Sequence, residues 1–374
     1  MNRPAGEPGS AVSEPLTVRS VDATLVAVPM RRPLGTSVMR VTEAPLLLID
    51  LRTEEGITGR AYLFCYLESA GHAAIALTRD ASASLAGTVA SPAGIRRVLQ
   101  QRSTLLGTRG LVSSVLAGID VACWDALAIA AGLPLARMLG ATLRPTAAYN
   151  SNGLGLSEPQ AAADEAMELV AEGFRAVKMR LGRPSPDDDL AAVRAVRAAI
   201  APDVALMADY NQALSPRAAR ERCRRLDDEG LYWIEEPVRH DDYATSAELA
   251  AMLRTPVQIG ENFAGPRAMS VALEQRASDL VMPDLERIGG VSGWTCAAAL
   301  ADVAGVEMSS HLYPEVSAHL LAATPTAHWI EYVDWAAPVL QEPPAVVDGY
   351  LTPPDVPGTG LLWDADAVTR FRRG

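Results

Sequence analysis

From about residue 145 the chain repeats one texture: a short apolar run, one or two polar residues, then a stretch of helical character. The apolar runs are Arg175–Met179, Val204–Ala208, Leu231–Ile234, Val257–Ile259, Leu280–Met282, Val306–Met308 and Trp329–Ile330. Between them lie Ala161–Ala171, Asp188–Ile200, Pro216–Glu229, Tyr243–Leu253, Pro266–Arg276 and Gly293–Ala304. Strands alternating with helices at this pitch make βαβ units and a parallel sheet. Seven or eight such units suit a closed TIM-type (β/α) barrel better than an open doubly wound sheet. The glycine fingerprint of a dinucleotide fold does not follow the first strand, and the nearest match, Ile288–Gly293, has the wrong spacing.

The first 140 residues read as a small α+β domain. Residues 1–16, rich in Pro, Gly, Ser and Ala, read as a disordered tail. Strands are expected over Val18–Val28 and Pro45–Arg52, then a turn at Thr53–Gly56 and a returning strand over Ile57–Phe64. Gly71–Ala90 reads as helical. A longer helix starts near Leu111, with Val115, Leu116, Ile119, Ala122, Cys123 and Ala126 on one buried stripe, and Gly132 and Pro134 end it.

Charge removes two function classes. With 33 Lys+Arg against 45 Asp+Glu the net charge is −12, so neither a nucleic-acid face nor a polybasic membrane surface is expected. Cys65, Cys123, Cys223 and Cys296 are far apart and form no C-x-x-C pair, which points to a reducing, cytoplasmic setting. No signal-peptide core and no uncharged apolar run of about 18 residues is seen, so no membrane span is expected.

Each apolar run ends in residues that cost free energy to bury: Lys178 with Arg180, Asp209 with Asn211, Glu235 with Glu236, Glu261 with Asn262, Asp284, His311 and Glu331. One such residue is ordinarily a loop residue or helix cap. Seven in succession, at the strand ends that share a barrel mouth, point to chemistry. Asp209, Glu235 and Glu261 stand 26 residues apart, one βα unit each. Three converging carboxylates repel one another unless a cation joins them, and an all-oxygen set favours magnesium (or manganese) over zinc. Glu236, on the other side of its strand, reads as a rim salt bridge. Asp284 beside His311 can orient one imidazole nitrogen and make the other a general base. Lys178 and Arg180 leave one strand on the same face and suit an anionic small molecule, most simply a carboxylate. Glu331 could donate to it if like-charged neighbours keep it protonated. His319 and His328 read as packing residues.

These residues and their surroundings resemble the enolase superfamily, in particular its mandelate racemase-like subgroup. The matching motifs are Ala117–Asp120 with Ala122–Asp125, Gly173–Lys178, Asp209–Gln212, Trp233–Pro237, Gly260–Asn262 and Met308–Leu312 through Ser317–Pro325. Use of a Lys or His base with magnesium is a known pattern of that superfamily. The resemblance implies a modified (β/α)7β barrel over 141–345, a capping domain over 17–140 and a C-terminal segment, 346–374, packed back on the cap. It implies that Asp209, Glu235 and Glu261 bind magnesium, that Lys178 holds the substrate carboxylate, and that Asn211 contacts the α-hydroxyl. His311 with Asp284 would move the α-proton, and Glu331 would hydrogen-bond the enediolate. Tyr62 and Phe64, in a hairpin ending at Tyr66, would line a loop closing the mouth, over a substrate less hydrophilic than a sugar acid. Its relatives are commonly oligomeric, so a homo-oligomer is expected.

Two departures stand out. The second lysine of a two-base Lys-x-Lys motif is Arg180, a poor proton acceptor. A substrate-binding serine of the pattern is read as lost at Gly153. The resemblance as a whole points to a racemase or epimerase of α-hydroxycarboxylates. Arg180 points instead to a hydro-lyase with His311 as sole base. A Schiff-base aldolase on Lys178 or a non-catalytic metal binder are the remaining readings.

Overall fold

A computed structural model describes residues 15–374 of the chain, so most of the tail read over 1–16 lies outside the described residues. Three antiparallel strands open the fold: β1 (Val18–Gly35), β2 (Arg40–Thr53) and β3 (Thr58–Phe64). β1 and β2 run well past the expected strands, and their hairpin tip at Thr36–Met39 proves important below. Helices Glu68–Leu85 and Leu111–Ala130 pack on this sheet, and Pro92–Ser103 packs on those two helices.

Helix Leu111–Ala130 is buried on more than the expected single stripe. Ser114, Gly118, Asp120, Val121 and Asp125 are enclosed along with the apolar positions. On length and composition alone it could cross a membrane, but it lies packed inside the fold. β3 approaches it so closely that a Cβ on Gly59 would sit 2.0 Å from the Ala122 carbonyl oxygen, which leaves room only for glycine. Asp125 accepts from the Arg60 N–H (2.8 Å) and from Thr359 (2.6 and 2.8 Å), tying cap and C-terminal segment to the helix.

The second unit is the expected parallel barrel. Its staves are β4 (Thr146–Asn150), β5 (Ala176–Arg180), β6 (Ala205–Asp209), β7 (Ile234–Glu235), β8 (Val257–Ile259) and β9 (Leu280–Val281), and then β10 (Ile330–Tyr332), which pairs back on β4. Val306–Met308, expected as a strand, contributes only single bridges, from Met308 to Val281 and Ala327. Two short strands, β11 (Val346–Val347) and β12 (Tyr350–Leu351), extend the sheet at β4, while Ala365–Phe371 forms a helix against β1.

Strand periodicity layers the barrel interior. Ala176, Met207, Trp233, Leu280 and Tyr149 form one buried apolar layer. Two residues further along the same strands come Lys178, Asp209 and Glu235. The register pairs Arg180 with Asp209 and Asp209 with Glu235, so these polar ends form one row at the mouth.

His319 illustrates how the parts are fastened. Its Nδ1 accepts from the Ala136 N–H and its Nε2–H donates to the Thr359 carbonyl, both at 3.3 Å, which requires the neutral imidazole. Burial pushes it down from 6.5 to about 4. The unfolded chain therefore takes up a proton that the native state refuses. This contribution is complete above pH 6.5 and is lost as pH falls toward 4, an effect on the order of 3 kcal/mol. Urea midpoints at pH 7 and pH 4.5 should converge for His319→Gln relative to wild type; an unchanged acid slope would contradict this.

Candidate active site

The mouth of the barrel is a cavity of about 190 Å³, bounded by strand ends on one side and the β1–β2 hairpin tip on the other. Asp209, Glu235 and Glu261 bring one carboxylate oxygen each to within 4.8 Å of one another. Glu235 is fully enclosed, and burial together with Asp209 pushes its carboxyl up to about 8. Lys178 counters this only in part.

What charge there is comes from side chains. The Lys178 ammonium lies 2.8 Å from Glu235, 2.9 Å from Glu331 and 3.5 Å from Asp209. Burial works against its proton, but Glu235 and Glu331 outweigh burial and hold it well above the usual lysine range. His311 Nε2 stands 3.1 Å from Glu261. Two nitrogens thus stand beside the three carboxylates, where a hard cation would satisfy the same oxygens. The donor chemistry fits magnesium.

Asn211 braces this set. Its N–H and its Nδ2 donate to Asp209 at 2.7 and 2.9 Å. Its Oδ1 is buried without a partner at the wall of the cavity, an acceptor suited to a hydroxyl. Glu236 departs from the expected rim salt bridge: it is buried and accepts from the Asn262 amide at 2.9 and 3.0 Å. A φ of 37° at Glu236 turns its side chain inward rather than to the rim.

The dyad is in place. His311 Nδ1–H donates to Asp284 Oδ2 at 2.7 Å, while Asp284 Oδ1 accepts from the N–H groups of Glu286 and Arg287. With Nδ1 fixed, Nε2 is the nitrogen turned to the cavity. Burial opposes charge on the ring, yet Glu261, Glu331 and the Asp284 hydrogen bond hold it well above 6.5.

Two expectations need correction. Glu331 is an acceptor here, not a protonated donor. It receives Ser151 Oγ (2.7 Å), the Leu312 N–H (2.9 Å) and Lys178, and despite burial Lys178 and His311 bring it down to about 2. Tyr62 and Phe64 do not line the mouth. Tyr62 Oη donates to buried Glu315 at 2.7 Å, and Phe64 packs between Tyr66 and Trp335. Tyr66, just past the strand with φ 58°, does reach the cavity, joined by Leu34, Thr36, Val38 and Met39 of the β1–β2 tip. Gly153, with φ 62°, faces Glu165, while the hydroxyl of nearby Ser151 is buried and engaged with Glu331 and Arg180.

Arg180 lines the cavity but turns Nη1 and Nη2 to the chain just after β4, while its Nε is buried without a partner. Nη1 donates to the carbonyls of Ser151 (2.8 Å) and Gly153 (3.2 Å), and Nη2 donates to Ser151 Oγ at 2.9 Å.

A capped barrel whose mouth joins three carboxylates, an ammonium and a carboxylate-oriented imidazole defines the chain as an enzyme. The model of the mandelate racemase / muconate lactonizing enzyme N-terminal domain matches residues 20–140, and that of the enolase C-terminal domain-like region matches 161–367. The chain belongs to this family. It is 30% identical to L-talarate/galactarate dehydratase of Salmonella typhimurium, over 93% of this chain and 89% of that protein. Among solved structures, an enolase from alpha proteobacterium bal199 with bound magnesium matches with TM-score 0.94 and 47% identity, covering 96% and 100% of the two chains. An enolase from Bradyrhizobium complexed with magnesium and mandelic acid matches with TM-score 0.91 and 38% identity, covering 97% and 100%. More distant relatives include both sugar-acid dehydratases and an epimerase.

Proposed function

We propose that this chain is a magnesium-dependent enzyme that removes the α-proton of an α-hydroxycarboxylate with His311 as its only base, eliminating a β-hydroxyl where the substrate carries one. The observation that carries the one-base reading is the engagement of Arg180. Its Nη1 and Nη2 donate to Ser151 and Gly153, just after β4, and to the Lys178 carbonyl, and a guanidinium offers no acceptor to a proton on the opposite face. The acid–base reading itself is supported by the charge balance at the mouth.

Asp209, Glu235 and Glu261 would hold the ion. When bound, magnesium would supply positive charge where electrons accumulate as the α-proton leaves. The other roles belong to side chains. Lys178 faces the substrate carboxylate, and Asn211 Oδ1 accepts from its α-hydroxyl. His311 Nε2 takes the α-proton, and the C–H electron pair moves toward the carboxylate. In a 2,3-dihydroxy acid that pair then forms the Cα–Cβ double bond as the β C–O bond breaks. The departing hydroxyl takes the proton from His311 and leaves as water, and the enol relaxes to a 2-keto acid. Without a β-hydroxyl the proton returns to the same face.

Leu34, Val38, Met39, Leu312 and Trp335 set the remote end of the substrate. They offer contacts to an alkyl or aryl group, beside the polar side chains of Thr36, Gln212 and Asn262 that could meet further hydroxyls. Arg180→Met tests the one-base reading. Exchange of the α-hydrogen should persist with the same stereochemical course, slowed by about tenfold through loss of the brace on Ser151. If wild type exchanges both enantiomers and the variant loses only one of them, Arg180 is a second base and the reading fails.

A further inference from the structure

We propose that Tyr313 and Glu286 form a positioning pair that ties the His311–Asp284 dyad to the end of β3, where Tyr66 enters the mouth. Asp284 and His311 face each other across a parallel bridge. Two residues further along each segment, Tyr313 Oη donates to Glu286 Oε2 at 2.5 Å, a second rung beside the dyad. The same phenol oxygen accepts the Phe64 N–H at 3.1 Å, so the end of β3 docks on that rung. A second tie runs in parallel. Arg287, next to Glu286, donates to Tyr66 Oη at 3.1 Å, and its own N–H donates to the dyad carboxylate.

The rung answers a local need. Leu312 and Tyr313 both adopt φ of 52°, a conformation that costs free energy for residues other than glycine. This left-handed turn immediately follows His311, so whatever holds it sets the direction of the imidazole. Leu312 is held by Glu331 and by Ser317 Oγ, which donates to its carbonyl at 2.9 Å. Tyr313 is held from its far end by Glu286 and Phe64. Its ring is buried against Tyr62, with centroids 5.1 Å apart. The cap thereby becomes part of what aims the base, rather than only a cover for the mouth. Neither residue touches the cavity, so the pair acts through His311 and Asp284.

The kinetic part of this inference rests on the α-proton reading above; its spectroscopic part does not. The test compares wild type, Tyr313→Phe and Glu286→Gln as magnesium complexes, labelled with ¹⁵N-histidine. The His311 Nδ1–H resonance is recorded together with α-hydrogen exchange of α-hydroxy acids. Tyr313→Phe should shift and broaden that resonance and lower kcat on the order of tenfold, with KM changed by less than about twofold. Glu286→Gln, whose amide oxygen still accepts the phenol proton, should keep both near wild type. A wild-type resonance and kcat in Tyr313→Phe would overturn the pairing, as would a Glu286→Gln loss equal to that of Tyr313→Phe. If the resonance responds as expected while wild type exchanges nothing, the pairing stands and the proposed reaction falls.

Discussion

His311→Asn should reduce α-proton exchange on the order of 10³-fold while magnesium still binds. The reasoning is geometric. Asp284 fixes Nδ1 at 2.7 Å, the other ring nitrogen is turned to the cavity, and Arg180 opposite is spent on Ser151 and Gly153. Asn is small enough for the site but is no base, and it leaves Asp209, Glu235 and Glu261 in place. Exchange followed by ¹H NMR in D₂O and magnesium binding followed by calorimetry would be read together. Residual exchange within a few-fold of wild type would mean that another group moves the proton.

The second large effect is expected at Glu235. Burial and Asp209 already push this carboxyl up to about 8, so Gln resembles the form it holds at neutral pH without a cation. Glu235→Gln should therefore fold with a metal-free melting temperature close to wild type. What it should lose is the response to magnesium. Wild type at about 100-fold excess over Kd gains roughly 2.7 kcal/mol, a rise of several degrees in Tm, and the variant gains little. Activity should fall on the order of 10³-fold, since a bound cation contributes several kcal/mol to charge developing at a substrate oxygen. Equal magnesium-induced shifts in the two proteins would remove Glu235 from the metal site.

The chemistry was more legible in the sequence than the access to it. Asp209, Glu235, Glu261, Asp284 and His311 each follow an apolar run, and strand register carries that spacing into space with little freedom. β4, Thr-Ala-Ala-Tyr-Asn, escaped because it holds no branched aliphatic residue to mark it as a stave, and Ser151 just after it escaped too. Tyr62 and Phe64 are expected at the mouth because the hairpin ending at Tyr66 resembles a mouth-closing loop of the family. The strand, however, is enclosed by the segment after His311 and by Trp335, and only the turn at Tyr66 escapes. The lid at Leu34–Met39 had no motif at all. It is identified only by what the hairpin lies above. Charge states were also hidden, because Glu331 depends on where Lys178 points, and no spacing rule states that.

The central claim is a single base working on one face of an α-hydroxy acid. It is tested most directly by incubating the magnesium-loaded protein in D₂O with each enantiomer of mandelate and of a short 2,3-dihydroxy acid. ¹H NMR then follows the hydrogen at Cα. Deuterium should enter only one enantiomer of mandelate, without inversion, and a 2-keto acid should form from the dihydroxy acid of the same Cα configuration. Interconversion of the two mandelate enantiomers, or no exchange with any of these acids, would contradict the account.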